Sequence, residues 1–289
     1  MAFSDRPVYT VEWLVDRTST VYSLPLFYER LNETINHPRS SIDDIGKIIT
    51  EDQGLTARLL RLANSPMFGS YAKVDSISKA VTIIGTQQLR DLALAASVMG
   101  VFKGIPEDLL NMGSFWRHSI ACGIVARTLA TWRRETNVER FFVAGMLHDV
   151  GQLIMATTLP DIVKEMIEKS RAEKQLYLTV ERDRLGFDHA DAGGALLKSW
   201  KIPANIADPV EFHHAPSRSE QFPLEVSLVH ISDIICQCLS LGQSCEWYVP
   251  PLNNEAWERI GITPHQLGVV LKQADAQINE TFAILSEAT

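Results

Sequence analysis

Apolar side chains recur every three or four positions along most of the chain, while runs that alternate apolar with polar are sparse. Leu55, Leu59, Leu60, Leu62 and Ala63 form one such stripe, and the pattern as a whole predicts an all-α protein. Helix boundaries are marked by familiar chemistry. Ser41 with Asp44 makes a variant capping box ahead of Ile45, Ile48 and Ile49. Pro66 and Gly69 close the next helix after Asn64-Ser65. Gly85 ends a short helix from about residue 78, and a longer one is expected over 86–101 with Leu89, Leu92, Ala93, Ala96 and Met99 on its apolar side.

The stretch Val101-Phe102-Lys103-Gly104-Ile105-Pro106 carries the Gly and Pro expected where one helical group gives way to another. Beyond it, Ser114 is read as opening a helix to about residue 134, and Thr136 with Glu139 as capping a second one that Leu159-Pro160 closes. Further helices are expected at about 160–174, 188–200, 203–213, 223–241 and from 264 onward. This predicts a two-lobed helical molecule: an N-terminal extension (1–22), a bundle of short helices (23–105), a second helical lobe (106–235), and a helical C-terminal extension (236–289) that packs on the second lobe. Trp247-Tyr248-Val249-Pro250-Pro251 and Trp257 in that extension are expected to cap the core.

Composition agrees with a folded protein. The 289 residues suit one or two domains, and 46% hydrophobic with 21% charged residues can bury a core, which excludes disorder as the main state. The longest apolar run, 92–102, is far short of the roughly 20 residues of a membrane helix, and MAFSDRPVYT shows neither a basic start nor an apolar stretch. A cytoplasmic protein without a membrane partner is expected. The four cysteines, Cys122, Cys236, Cys238 and Cys245, then read as reduced thiols. Net charge is −8, from 27 Lys and Arg against 35 Asp and Glu, and all of it falls beyond residue 105. That balance argues against holding nucleic acid by phosphate neutralisation.

Five of the eight histidines and two aspartates sit inside or at the ends of apolar helices. A hairpin pivoting near Glu135 places His118 and His148 within about 7 Å of the same level on antiparallel neighbours. Asp149 follows His148 in Met146-Leu147-His148-Asp149-Val150-Gly151, and Asp233 lies mid-helix in Leu228-Val229-His230-Ile231-Ser232-Asp233. A carboxylate in such surroundings carries a large desolvation cost unless a cation or strong donors offset it. His189 opens a helix with Gly193-Gly194 one turn on, where another backbone can approach closely, and His213-His214 ends one. His118, His148, Asp149, His189, His213, His214 and Asp233 together suit one or two divalent ions such as Fe, Mn, Zn, Co or Ni, with no organic cofactor. His230 and His265 read as ordinary structural histidines.

These residues resemble the HD superfamily of metal-dependent phosphohydrolases, in which a helix His, a His-Asp pair and a distant Asp bind the ion: here His118, His148-Asp149 and Asp233. His189 and His213-His214 are similar to the extra ligands of the branch that degrades cyclic-di-GMP. That branch has lysine where this chain has Gln152, a Gly-Tyr-Pro segment where it has Ala215-Pro216-Ser217, and in some members an acid where it has Ser114.

The closer resemblance, over about residues 23–235, is to the HDOD domain, a regulatory output module of bacterial signalling. Leu24-Pro25, Ile48-Ile49-Thr50-Glu51-Asp52, Leu62-Ala63-Asn64-Ser65 with Phe68-Gly69, Trp116-Arg117-His118-Ser119 and Gly145 to Gly151 carry it. The resemblance implies a signalling module that contacts partner proteins, with a structural metal site. The alternative is a phosphodiesterase acting on a nucleotide or other phosphate ligand, with Asp149 essential and Arg117, read as a solvated side chain, its nearest basic group. A third class, DNA binding through Gln87, Gln88 and Arg90, has little support from charge.

Overall fold

The computed structural model describes residues 9–19, 26–68, 73–102 and 104–286. Leu24-Pro25, Gly69 and Lys103, used as markers above, lie outside them. The described residues are all-α, with no strand among them. In chain order the helices are α1 (Val11–Ser19), α2 (Leu26–Asn36), α3 (Ile42–Thr50), α4 (Gln53–Ala63), α5 (Ile77–Ile84), α6 (Thr86–Val101), α7 (Met112–Trp132) and α8 (Glu139–Leu147). There follow α9 (Val150–Thr158), α10 (Pro160–Glu173), α11 (Tyr177–Leu185), α12 (His189–Ser199), α13 (Ala204–Phe212), α14 (Pro223–Cys238), α15 (Asn254–Ile260) and α16 (Pro264–Ser286).

Local chemistry sets most of these boundaries. Ser41 and Asp44 form both bonds of the expected capping box at α3. Gly85, at φ 102°, makes the sharp turn between α5 and α6 that a side chain would resist. Two starts differ from expectation. Asn111, not Ser114, caps α7, because its side chain accepts the Ser114 amide over 2.8 Å. Thr136 and Glu139 form no capping box: Glu139 instead takes Arg127 of α7 at 3.2 Å, and the Thr136 carbonyl takes Arg140.

A third difference bears on function. The helix expected to run on to Leu159 breaks at His148-Asp149 into α8 and α9. Asp149 leaves helical geometry, at φ −95° and ψ 8°, and its carbonyl is met by the Gln152 amide in a tighter turn.

α7 packs against α8, α14 and α16, while α12 packs against α9 and α13. α6 lies on α8 and α1 on α9 and α12, so the N-terminal helices rest directly on the second group. One apolar core runs unbroken from Leu14 and Leu31 through Leu92 and Phe142 to Ile278. Each large side chain fully buried there contributes about 1.5–3 kcal/mol. Arg90 lies in this interior, 7% exposed and bonded to Asp91 at 2.7 Å, so it is not the base-reading side chain considered above.

No single helix among the described residues is long and apolar enough to cross a membrane. One bent pair, Glu139–Thr158 with Pro160–Glu173, meets the length and composition at an angle of 119°, and its α8 and α9 part is buried within the protein.

Candidate metal centre

Close helix crossings bring the seven side chains to one place. At Gly145 the backbone of α8 meets that of α7 at Gly123 and Cys122, and at Gly151 the backbone of α9 meets His189 and Gly193 of α12. A Cβ at either glycine would collide with the facing main chain. The first crossing sets His148 beside His118, ring centres 5.3 Å apart; the second brings His189 to Asp149. Asp188 caps α12 through a capping box with Asp191 and so fixes where His189 starts. His213 and His214 follow the end of α13, and Asp233 comes from α14.

Asp149 sits at the middle and its two oxygens face different imidazoles. Oδ2 is 3.3 Å from His148 Nε2 and 3.8 Å from His118 Nε2, whereas Oδ1 is 3.1 Å from His189 Nε2 and 4.0 Å from His213 Nε2. Asp233 Oδ1 lies 3.2 Å from His118 Nε2 and 3.6 Å from His148 Nε2, and accepts a hydrogen bond from Gln237. His214 Nε2 is 2.9 Å from His189 Nε2. Two sets of donors result, His118, His148 and Asp233 on one side and His189, His213 and His214 on the other, with Asp149 spanning them.

The tautomers follow from the partners. His148 Nδ1 lies 2.7 Å from the Gly145 carbonyl and His213 Nδ1 2.8 Å from that of Val210, and a carbonyl can only accept, so both Nδ1 atoms carry protons. The Nε2 atoms of both rings are buried, turned towards Asp149 and without a hydrogen-bond partner. Burial opposes a charged His148, yet Asp149 and Asp233 outweigh it and push its pKa up to about 10. Burial likewise opposes the charged forms of Asp149 and Asp233, but the imidazoles hold both well below the usual carboxylate range. His213 is pushed down by burial and its histidine neighbours. Two buried carboxylates facing imidazole nitrogens, two of which lack a hydrogen-bond partner, fit a divalent transition metal.

Two residues of the centre escaped sequence reasoning. Cys122 lies one turn after His118, its Sγ 3.6 Å from His118 Nε2, and joins the first donor set. The i, i+4 spacing was its one available signal. Glu181, wholly buried, accepts from His189 Nδ1 over 2.6 Å and so turns His189 Nε2 inward. Burial raises its pKa to about 7 despite the pull of His189.

The remaining candidates separate. His230 donates to the His213 carbonyl and accepts the Asn253 amide, a satisfied structural residue, and His265 is exposed. Arg117 is not a free solvated side chain: it bonds Asn279 at 2.8 Å and lies against the Phe282 ring of α16. Gln152 is 1% exposed and its Oε1 accepts the Cys245 amide. The four cysteines are free thiols, Cys238 alone among them exposed. Trp257 packs against the core as expected of a capping residue, whereas Trp247 is 45% exposed.

Comparison with known proteins identifies the family and agrees with the fold. The family model of the HDOD domain matches residues 21–216. An uncharacterised protein of Treponema pallidum (strain Nichols) is 25% identical over 230 residues, covering 78% of this chain; the chain spans only 44% of that relative's length. The crystal structure of an HDOD domain protein of unknown function from Geobacter sulfurreducens superposes with a TM-score of 0.72 at 25% identity, covering 96% of this chain and 97% of its own. A Shewanella amazonensis protein whose phosphohydrolase assignment is provisional superposes with a TM-score of 0.73 at 24% identity, over 94% and 98%.

Proposed function

The chain belongs to the HDOD domain family, and from that membership we propose that it is a regulatory output module of bacterial signal transduction. It works through contacts with partner proteins, and its His/Asp centre is a structural clamp for one or two divalent transition-metal ions. One observation carries this reading: His118, His148, Asp149, His189, His213 and Asp233 are each at most 3% exposed. Donors so enclosed can fill an ion's coordination shell from the protein alone, as a structural site requires. A bound ion would supply Lewis acidity and a rigid cross-link among α7, α8, α12, α13 and α14. The protein's part is to hold the donors: backbone carbonyls fix His148 and His213, Glu181 fixes His189, and Gln237 steadies Asp233.

A second reading, phosphohydrolysis of a phosphodiester or nucleotide phosphate, is favoured by the placement of Asp149 between two donor sets, which suits a pair of ions. Its weakness is that two groups beside the centre are not free to face a phosphate: Gln152 is neutral and engaged with Cys245, and Arg117 is turned to α16.

Metal analysis of the purified protein, with assays against cyclic-di-GMP, other cyclic dinucleotides and a generic phosphodiester in Mn or Fe, separates the two. Bound metal with little or no turnover is expected. Robust hydrolysis abolished by Asp149→Ala, with the fold intact, would establish the enzyme instead. A metal-free protein whose melting curve is unchanged by chelator would remove the clamp.

A further inference from the structure

Between α14 and α15 the chain runs through residues 239–253 without forming a helix, an unusually long irregular stretch for so compact a protein. Its backbone is fastened to three helices around the His/Asp centre. The Gln243 amide donates to the Ser114 carbonyl of α7 over 3.2 Å, and the Cys245 amide donates to Gln152 Oε1 of α9 over 2.9 Å. The Tyr177 amide of α11 donates to the Glu246 carboxylate over 2.8 Å. Gly242, at φ 80°, lies so close to α7 that a Cβ there would strike the Ser114 carbonyl and the His118 amide. Further out, the Arg171 guanidinium of α10 stacks on Trp247, 3.9 Å from the ring centre.

A cavity lies on each side of this segment. One, of about 400 Å³, reaches His118; the other, of about 460 Å³, opens beside Ile167 and Arg171. Ser114, Gln243, Ser244 and Trp247 line both, so residues 243–247 form the partition between them. Ser244, Cys245 and Glu246 of the partition are buried, but the large apolar side chains of the wider segment are not: Leu239, Trp247, Val249 and Leu252 are each 45–51% exposed. Segments with few buried apolar contacts open at lower free energy than the helices they rest on.

We propose that residues 239–253 are a gate over the His/Asp centre, with the Gln152 side chain as its latch and the Arg171–Trp247 stack as a second fastener. When the gate swings out, the two cavities join into one cleft that ends at His118. That the cleft leads to a metal rests on the reading above; the movement of the gate does not.

The four thiols report on it in the intact chain. Labelling with N-ethylmaleimide, followed for each cysteine by peptide mass spectrometry, compares Cys245 in the gate with Cys122 on α7 and Cys236 on α14, with exposed Cys238 as the freely reacting reference. Cys245 is expected to react at least tenfold faster than Cys122 and Cys236, and Gln152→Leu to speed it roughly fivefold more without changing those two, as loss of one hydrogen bond implies. Equal protection of Cys245 and Cys236 in both proteins would make the segment a fixed wall and overturn the proposal. If Gln152→Leu exposes all the buried thiols, the variant has lost its fold, and Trp247→Ala decides by the same criterion.

In protein loaded with Mn²⁺, EDTA is expected to strip the ion faster from the latch variant. Faster Cys245 labelling with no change in stripping would show that the segment moves but controls no access, which also overturns the gate. Failure of Mn²⁺ to bind at all would sink the metal reading and leave the labelling pattern to judge the gate alone.

Discussion

Glu181 and His189 share a hydrogen bond of 2.6 Å where neither side chain is more than 1% exposed. A carboxylate so placed fixes the ring and raises its basicity at the opposite nitrogen. Glu181→Gln keeps an acceptor for Nδ1 but removes the charge. Metal affinity is therefore expected to fall about 10–100-fold with the fold retained, as read by competition with a fluorescent chelator. Affinity equal to the parent would deny Glu181 this role.

His214 gives the metal-free protein an acid sensitivity. Burial and the neighbouring His189 push its pKa down to about 4, from an unfolded value of 6.5. A base depressed on folding contributes stability that is present above pH 6.5 and is lost as pH falls towards 4, because the unfolded chain takes up the proton first. His214→Gln is expected to flatten that stretch of the stability curve by about 1–2 kcal/mol, allowing for the ring's partial exposure. Urea denaturation in chelator at pH 7.5 and 4.5 measures it, and parallel losses in both proteins would refute it.

Gly151 tests the crossing that sets Asp149 beside His189. A Cβ there runs into the His189 carbonyl and the Gly193 amide, both main-chain groups that can yield only if α9 and α12 separate. Gly151→Ala is expected to lower unfolding stability by about 2–4 kcal/mol and to weaken metal binding with it. Gly100→Ala, where nothing lies within 4 Å, serves as the neutral comparison.

His230 separates structural histidines from candidate ligands. Its ring joins the His213 carbonyl at 2.7 Å to the Asn253 amide at 3.0 Å. His230→Leu strands both backbone groups and is expected to cost about 2–4 kcal/mol while leaving the number of ions bound unchanged. A drop in metal stoichiometry in folded variant protein would place His230 among the ligands.

The sequence made the helical character and the seven polar residues legible because each stands out against apolar neighbours: Asp233 amid Ile and Val cannot be ignored. Glu181 could not be found that way. It stands in Glu181-Arg182-Asp183-Arg184, which looks like a solvated helix face, and only the tertiary packing of α11 turns that one carboxylate inward. Cys122 failed for the opposite reason, since a thiol in an apolar helix passes for core. The break at His148-Asp149 was hidden too. No Pro or Gly stands at His148 or Asp149 themselves, and the Asp149 side chain meets His189 of α12, far along the chain. Thr136 and Glu139 show the reverse error, a good local cap outcompeted by Arg127.

The uninterrupted interior that joins α6 to α8 has a mechanical consequence. Close-packed side chains are nearly incompressible, and both groups of helices contribute to one apolar cluster through which a displacement is carried. α6, buried from Leu89 to Met99, bears directly on α8, and α8 ends at His148, so any displacement of α6 reaches that ring. The N-terminal helices and the ring of His148 thus belong to one stiff lever.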